Sequence, residues 1–286
     1  MPRLLSCLLL CTLILTAMAE EDGYVRSVDA WHQKRIESLT RPDGWLALVG
    51  LLWLEPGANT FGTDHSNKLV FPSGAPFMGT YRVGQDGSVS LQTGPGVEPA
   101  RDGPLDLKEP EGKTRFSLGT LSWYLIVRNG QPGLRLVDSA SPILTGFRGI
   151  ERYPVDPSWR LTGRFQKAPR TIMVPNVLGV DTRERSPGLL TFEHAGKPYQ
   201  LEPVQEEGET SFFVIFSDAS NGHGSYAGGR FLSVEPPDEE GRVVIDFNRA
   251  YNPPCAFTHF ATCPRPPAQN SLPFAVEAGE KAYQGH

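Results

Sequence analysis

Two carboxylates, one arginine and two asparagines in the last third of the chain have the spacing that could do chemistry. Asp218 follows Phe212, Val214 and Phe216 at period two, and Asp246 sits in Arg242-Val243-Val244-Ile245-Asp246-Phe247-Asn248. Alternation along a strand puts Val243, Ile245 and Phe247 on one face and Val244, Asp246 and Asn248 on the other. An apolar face that turns polar at its end is how a β-barrel or sandwich presents groups at its mouth. The loop between the two carboxylates, Ser220 to Arg230, is rich in glycine and carries Tyr226 and Arg230. Glycine lets backbone approach a ligand, and a guanidinium grips a carboxylate or phosphate through two parallel bonds. These features predict a site for a small polar or anionic molecule. Arg230 anchors the charge, Asp218, Asp246, Asn248 and Asn252 orient polar atoms, and Tyr226 covers an apolar face.

Two other readings use the same residues. In a cofactor-free hydrolase, Asp218 and Asp246 would serve as acid and base, about 5–9.5 Å apart if the bond is glycosidic, with one pKa raised by burial. In a structural or protein-interaction module, Asp218, Ser220 and Asn221 only shape a turn. Asp246 and Arg230 then pair, and Asn248 and Asn252 satisfy backbone groups of the proline-rich tail.

Other motifs fall short of their chemistry. Ser225 directly follows Gly224, so the spacing of a nucleophile elbow is missed. Gly112-Lys113-Thr114 ends like a phosphate-binding loop, but Leu107 stands where its first glycine belongs. The histidines at 32, 65, 194, 223, 259 and 286 are scattered, with no two at ligand spacing on one element. The residues assemble no metal set and call for no cofactor. Trp31, Trp45, Trp53, Trp123 and Trp159 read as core residues.

The elements that must position these groups are mostly strands. Residues 27–39 read as a helix capped by Ser27, with Val28, Trp31, Arg35, Ile36 and Leu39 on one face. Trp45–Leu54 reads as a buried strand closed by Glu55-Pro56-Gly57. Short β-like runs follow at Lys68–Phe71, Thr80–Val83, Val89–Gln92, Thr114–Leu118, Leu121–Arg128 and Leu134–Asp138. Asp86-Gly87 and Asn129-Gly130 lie between them as turns. A second set covers Trp159–Phe165, Thr171–Val174, Leu189–His194, Tyr199–Val204, Ser211–Ser217, Arg230–Glu235 and Arg242–Phe247, with hairpin tips expected at Gly196-Lys197 and Glu239-Glu240-Gly241. Six prolines between Asn252 and Pro273 exclude regular sheet throughout the tail, which is expected to wrap the second set. The expected organisation is therefore mainly all-β. A helical segment spans 20–45, a β-sandwich 46–140, a linker 141–158, and a C-terminal β-barrel or sandwich 159–286.

Composition agrees with a folded β protein. Gly and Pro together make 56 of 286 residues, which demands many turns. The net charge of −5 and the absence of a basic excess argue against a general nucleic-acid binder. Arg3, the apolar run Leu4–Thr16 and Ala17-Met18-Ala19 have the form of a secretory signal over residues 1–19, cleaved after Ala19. A secreted or periplasmic protein without a stable membrane anchor would result. Cys255 and Cys263 would then remain as an even pair in an oxidising compartment. Such a pair is most simply a disulfide, although a metal site using both thiolates and His259 shares the same residues.

Two resemblances add to this reading. FFVIFSDASNGHGSYAGGRFL (212–232), VVIDFNRAYNPPCAFTHFATCPRPPAQNSLPFAVEAGEKAY (243–283) and the opening WHQKRIESLTRPDGWLALVGLLWLEPGANTFG (31–62) resemble an uncharacterised bacterial and archaeal domain-of-unknown-function family. Its members commonly carry a Lys and a Thr-Tyr where this chain has His223 and Ser225-Tyr226, which sets His223 aside as a shared catalyst. Residues 46–138 are similar to a forkhead-associated β-sandwich. The Gly-Arg and Ser-x-x-His by which that fold reads phosphothreonine are replaced here by Gly62-Thr63 and Pro76-Phe77-Met78-Gly79. The scaffold alone is implied.

Overall fold

The computed structural model describes residues 2–109, 112–128 and 130–285, with backbone only for 2–19. The chain is mainly β with one long N-terminal helix. Helix α1 runs from Pro2 to Leu39, so Ser27 lies inside it and caps nothing. The Ser27 hydroxyl instead donates back to the Tyr24 carbonyl at 2.7 Å. The expected face is real: Val28 and Leu39 are buried, and Trp31, Arg35 and Ile36 are half-buried. Pro42 follows the last turn, where it cannot continue a helix. The signal expected over residues 1–19 rests on side chains outside the described residues. Among the described residues no helix is long and apolar enough to cross a membrane, which says nothing of a β-barrel.

Among the described residues the first β region holds nine strands: β1 (Leu48–Trp53), β2 (Gly57–Gly62), β3 (Leu69–Val70), β4 (Gly79–Val83), β5 (Val89–Thr93), β6 (Asp102–Pro104), β7 (Arg115–Leu118), β8 (Leu121–Arg128) and β9 (Gln131–Asp138). They form sheets of order β1-β9-β8-β7 and β3-β2-β4-β5-β6. Between them Phe61, Phe71, Tyr81, Phe116 and Trp123 make the core, and the Trp123 indole N–H donates to the Tyr81 hydroxyl at 3.0 Å. Trp45–Leu54 is not one strand. Trp45–Ala47 form a turn of 3₁₀ helix before β1 begins. β2 occupies residues expected to be turn and loop. Asn129 of the expected Asn129-Gly130 turn lies outside the described residues.

Residues 141–158 contain a short helix α2 (Pro142–Gly146) and a 3₁₀ turn at Pro157–Trp159. The second β region follows with β10 (Arg160–Pro175), β11 (Asp181–His194), β12 (Lys197–Leu201), β13 (Phe212–Phe216), β14 (Arg230–Val234) and β15 (Arg242–Asp246). One sheet has order β12-β11-β10-β15, and β13 pairs with β14. The two runs expected at Trp159–Phe165 and Thr171–Val174 belong to the single strand β10. Its register slips between Lys167 and Arg170, where Ala168-Pro169 forms a bulge. An extra residue reverses which side chains point inward. Leu161 and Phe165 face the core before the bulge, and Ile172 and Val174 after it. Beside the bulge, across from Lys167, stands Gly188, where a Cβ would run into the Gln166 carbonyl.

The tip between β11 and β12 is Ala195-Gly196, with both φ angles positive, rather than Gly196-Lys197. Glu239-Glu240-Gly241 does turn the chain, but β15 then pairs with β10 and not with β14. The tail runs over the second region through isolated bridges at Asn176–Pro264, Ser217–Ser271 and Arg152–Glu280. Cys255 and Cys263 are disulfide-bonded, with Cα atoms 6.1 Å apart.

Candidate functional site

The six expected site residues fall into separate groups. Asp218 lies just beyond β13, and Arg230 opens β14 directly across from Phe216. Their side chains are fully buried and joined at 2.8 Å, with the guanidinium against the Phe216 ring. Arg230 also donates to the carbonyls of Val276, Ala278 and Glu280 in the tail. The other Asp218 oxygen accepts the amides of Ser220 and Val276 at 2.8 and 3.0 Å. This geometry corrects the expectation that Arg230 anchors a ligand. A cation enclosed by a carboxylate and three carbonyls has no solvent-facing donor to offer.

The glycine-rich loop is likewise bonded to itself. Ser220 and Ser225 share a hydroxyl contact at 2.7 Å, and the Asn221 amide donates to Ser225 and to the Tyr226 carbonyl. A Cβ at Gly229 would strike Pro266 and the Phe216 carbonyl, so that glycine serves chain packing. Tyr226 donates to the Cys255 carbonyl at 3.2 Å, and burial pushes its hydroxyl pKa up. Asn252 is fully buried. Its amide N–H meets Glu280 at 2.7 Å and its side chain donates to the Lys281 carbonyl. Glu280 itself is buried, and desolvation raises its pKa although Arg35 of α1 stands 3.4 Å away.

Asp246 and Asn248 form the other group, at the end of β15. Asp246 accepts the Tyr24 hydroxyl of α1 at 2.7 Å and faces Arg249 at 3.4 Å. Asn248 is tied to Tyr24 and, through both ends of its amide, to the Asp156 backbone. Burial first, and then the Asp246 carboxylate, holds the Tyr24 hydroxyl well above its ordinary pKa. Of the six residues, Asp246 lines the cavity on the β10–β15 pair. Asp218 has no exposed side-chain surface and is bonded to Arg230, so it is not placed to serve one bond with Asp246 as acid and base.

That cavity, about 580 Å³, lies on the outer face of the β10–β15 pair. Thr162, Val244, Ser233 and Glu235 line it, with Trp31 and Tyr251 forming an aromatic wall with centroids 6.2 Å apart. Three arginines reach it. Arg242 is held by Asp238 and Glu240, and Arg249 by Asp246. Arg160 stacks over the Tyr24 ring at 5.4 Å and meets no carboxylate among the described residues. Sequence reasoning missed Arg160 and Trp31. Arg160 pairs with Asp246 in the β10–β15 register, a signal that exists only once that pairing is known.

A second cavity, about 450 Å³, lies where β8 and β9 meet the second region. Arg135 lies over Trp45 at 5.4 Å and Arg128 donates to Thr262 at 3.3 Å, against a floor that includes Val174, Phe231 and Cys263. None of the six expected residues reaches it.

Residues 145–281 match the family described as protein of unknown function DUF1684. The DUF1684 stretch contains all six expected residues, the disulfide and Arg160. Tyr24, Trp31 and Arg35 of α1 lie outside it. A solution NMR structure of an uncharacterised protein from Haloarcula marismortui is similar over 50% of this chain and 80% of that one, at 29% identity and a TM-score of 0.42. No curated protein matches the chain at a significant level. None of these findings supports the likeness of residues 46–138 to a forkhead-associated sandwich.

Proposed function

We propose that this protein binds a small anion with a flat apolar body in the cavity beside Asp246. The carrying observation is Arg160, a guanidinium at the cavity without a described carboxylate partner, next to the Trp31–Tyr251 wall. A carboxylate or phosphate would take the Arg160 fork, and an aromatic or unsaturated body would lie beside the indole and Val244. Thr162 and Ser233 supply hydroxyls at the rim, and Asp246 would accept from a donor on the ligand. Binding without catalysis is the reading favoured, because Asp218 is spent on Arg230. The disulfide fits an extracytoplasmic setting.

The test is calorimetry with benzoate, indole-3-acetate and phenyl phosphate, each against a neutral amide or alcohol analogue. The acids should bind and the neutral analogues should not. Arg160→Met and Trp31→Ala should each weaken binding by roughly tenfold or more. Equal binding of acids and neutral analogues, or no binding by any acid, would refute the proposal.

A further inference from the structure

Beyond their bulge, β10 and β11 form a two-stranded ribbon. β15 pairs with β10 only over Arg160–Arg164, and β12 with β11 only over Leu190–His194. One ribbon face is packed, with Ile172 and Val174 in a core shared with Ile215 and Phe231. The opposite face is open. Met173 stands opposite Arg183, and Thr171 opposite Arg185, all four exposed.

Charge on this ribbon departs from the rest of the chain. Beyond the bulge, residues 170–186 hold three of the 27 basic residues and two of the 32 acidic ones, so the ribbon carries +1 while the remainder carries −6. Arg170 is taken by Glu202 at 2.6 Å. Arg164, Lys167, Arg183 and Arg185 meet no carboxylate among the described residues.

The ribbon ends in an apolar tip whose turn is closed by hydrogen bonds. Asn176 bonds the backbone of Leu178 and Val180, which closes the turn. From beneath, Val177 donates to the Cys263 carbonyl at 3.0 Å and Arg265 to the Pro175 carbonyl at 2.7 Å, fastening the tip to the disulfide loop. Yet Met173, Leu178 and Val180 are 49%, 43% and 39% exposed. An ordered turn that keeps apolar side chains in water, with Arg183 and Arg185 on the open face behind it, has the chemistry of a surface that enters a lipid interface.

We infer that the β10–β11 ribbon docks on an anionic lipid surface. Leu178, Val180 and Met173 enter the boundary between headgroups and acyl chains. Arg183 and Arg185 meet the lipid phosphates. A soluble polyanion such as nucleic acid or an acidic polysaccharide would use the arginines and leave the apolar tip in water, which is why a bilayer is the partner favoured. This inference does not depend on the cavity beside Asp246.

The experiment is cosedimentation of the full chain with vesicles of phosphatidylcholine alone and of phosphatidylcholine mixed equally with phosphatidylglycerol. The chain should sediment with the mixed vesicles and not with the neutral ones, less so as salt rises. Arg183→Glu with Arg185→Glu, and separately Leu178→Asp with Val180→Asp, should each weaken binding by roughly tenfold or more. All four positions are exposed, and an unchanged melting curve shows that the fold survives. Leu178→Trp adds a direct readout, a blue shift of emission on the mixed vesicles relative to the unsubstituted chain. No sedimentation, equal binding to neutral vesicles, no emission shift from the Leu178→Trp variant, or loss through the arginine pair with none through the apolar pair would each overturn the inference. The last outcome would point to a soluble polyanion.

Discussion

Arg230 shows how much a single buried charge commits the chain. Its guanidinium joins β14 to Asp218 and to three carbonyls of the tail, and neither partner of the ion pair touches water. Removing one partner leaves the other as an uncompensated buried charge, which costs about 3–5 kcal/mol. Arg230→Met should therefore lower the stability read by urea denaturation by about that much, and adding Asp218→Asn should recover part of it. A cost under about 1 kcal/mol for Arg230→Met would contradict the buried pair. Glu280 is a second buried charge with the opposite behaviour. Desolvation raises its pKa above the ordinary 4.5, so the folded chain holds a proton that the unfolded chain releases. Stability then falls as pH rises from about 4.5 through the raised value. Across that range Glu280→Gln should flatten the pH dependence, with wild type losing stability relative to the variant. Parallel curves for the two proteins would show that Glu280 does not titrate in this way.

At the scale of elements, the loop around the disulfide and the register of β10 matter most. The Cys255–Cys263 bond closes a loop of nine residues, so its constraint on the unfolded chain is worth about 2–3 kcal/mol. Replacing both cysteines by serine should cost about that in urea denaturation, and reduction of the native protein should cost the same. A loss much above this would mean that the tip of the β10–β11 ribbon comes loose with the loop. Alternation along β15 was legible from residues alone, because Val243 and Ile245 are buried and Val244 is exposed, as period two requires. The joining of two β-like runs into β10 was not, since a Pro inside a bulge reads as an interruption. The role of Arg230 was hidden for a different reason. Its partners Val276, Ala278 and Glu280 are set by how the tail crosses β14, and local periodicity carries no information about contacts 46 to 50 residues away. Asp246, read as the polar end of an apolar strand, lines the cavity beside β15. Its companion Arg160 became visible only through pairing across the sheet.

On the whole-molecule scale, chain order and packing order disagree. The N-terminal helix precedes the first β region, yet its side chains bond to the second. Tyr24 reaches Asp246, Ser27 reaches Arg249, Asp29 reaches Arg152, and Arg35 reaches Asn252 and Glu280. The stretch matched by DUF1684 begins at residue 145 and leaves this helix out. We propose that residues 20–40 belong physically to the second region and that residues 46–140, with their own core around Trp123, are inserted between them. A chain of residues 141–286 alone would lack the Arg35 charge beside Glu280, the Tyr24 hydroxyl on Asp246 and the Trp31 wall of the cavity. It should unfold at a lower urea midpoint than the full chain and with weaker near-ultraviolet circular dichroism. A synthetic peptide of residues 20–40 added in trans should raise that midpoint in a concentration-dependent way, because it binds the folded form and not the unfolded one. A peptide with Tyr24→Phe and Arg35→Met should raise it less. If residues 141–286 unfolded at the midpoint of the full chain and ignored the peptide, the helix would be an appendage, and the cavity beside Asp246 would have to be redrawn without its aromatic wall.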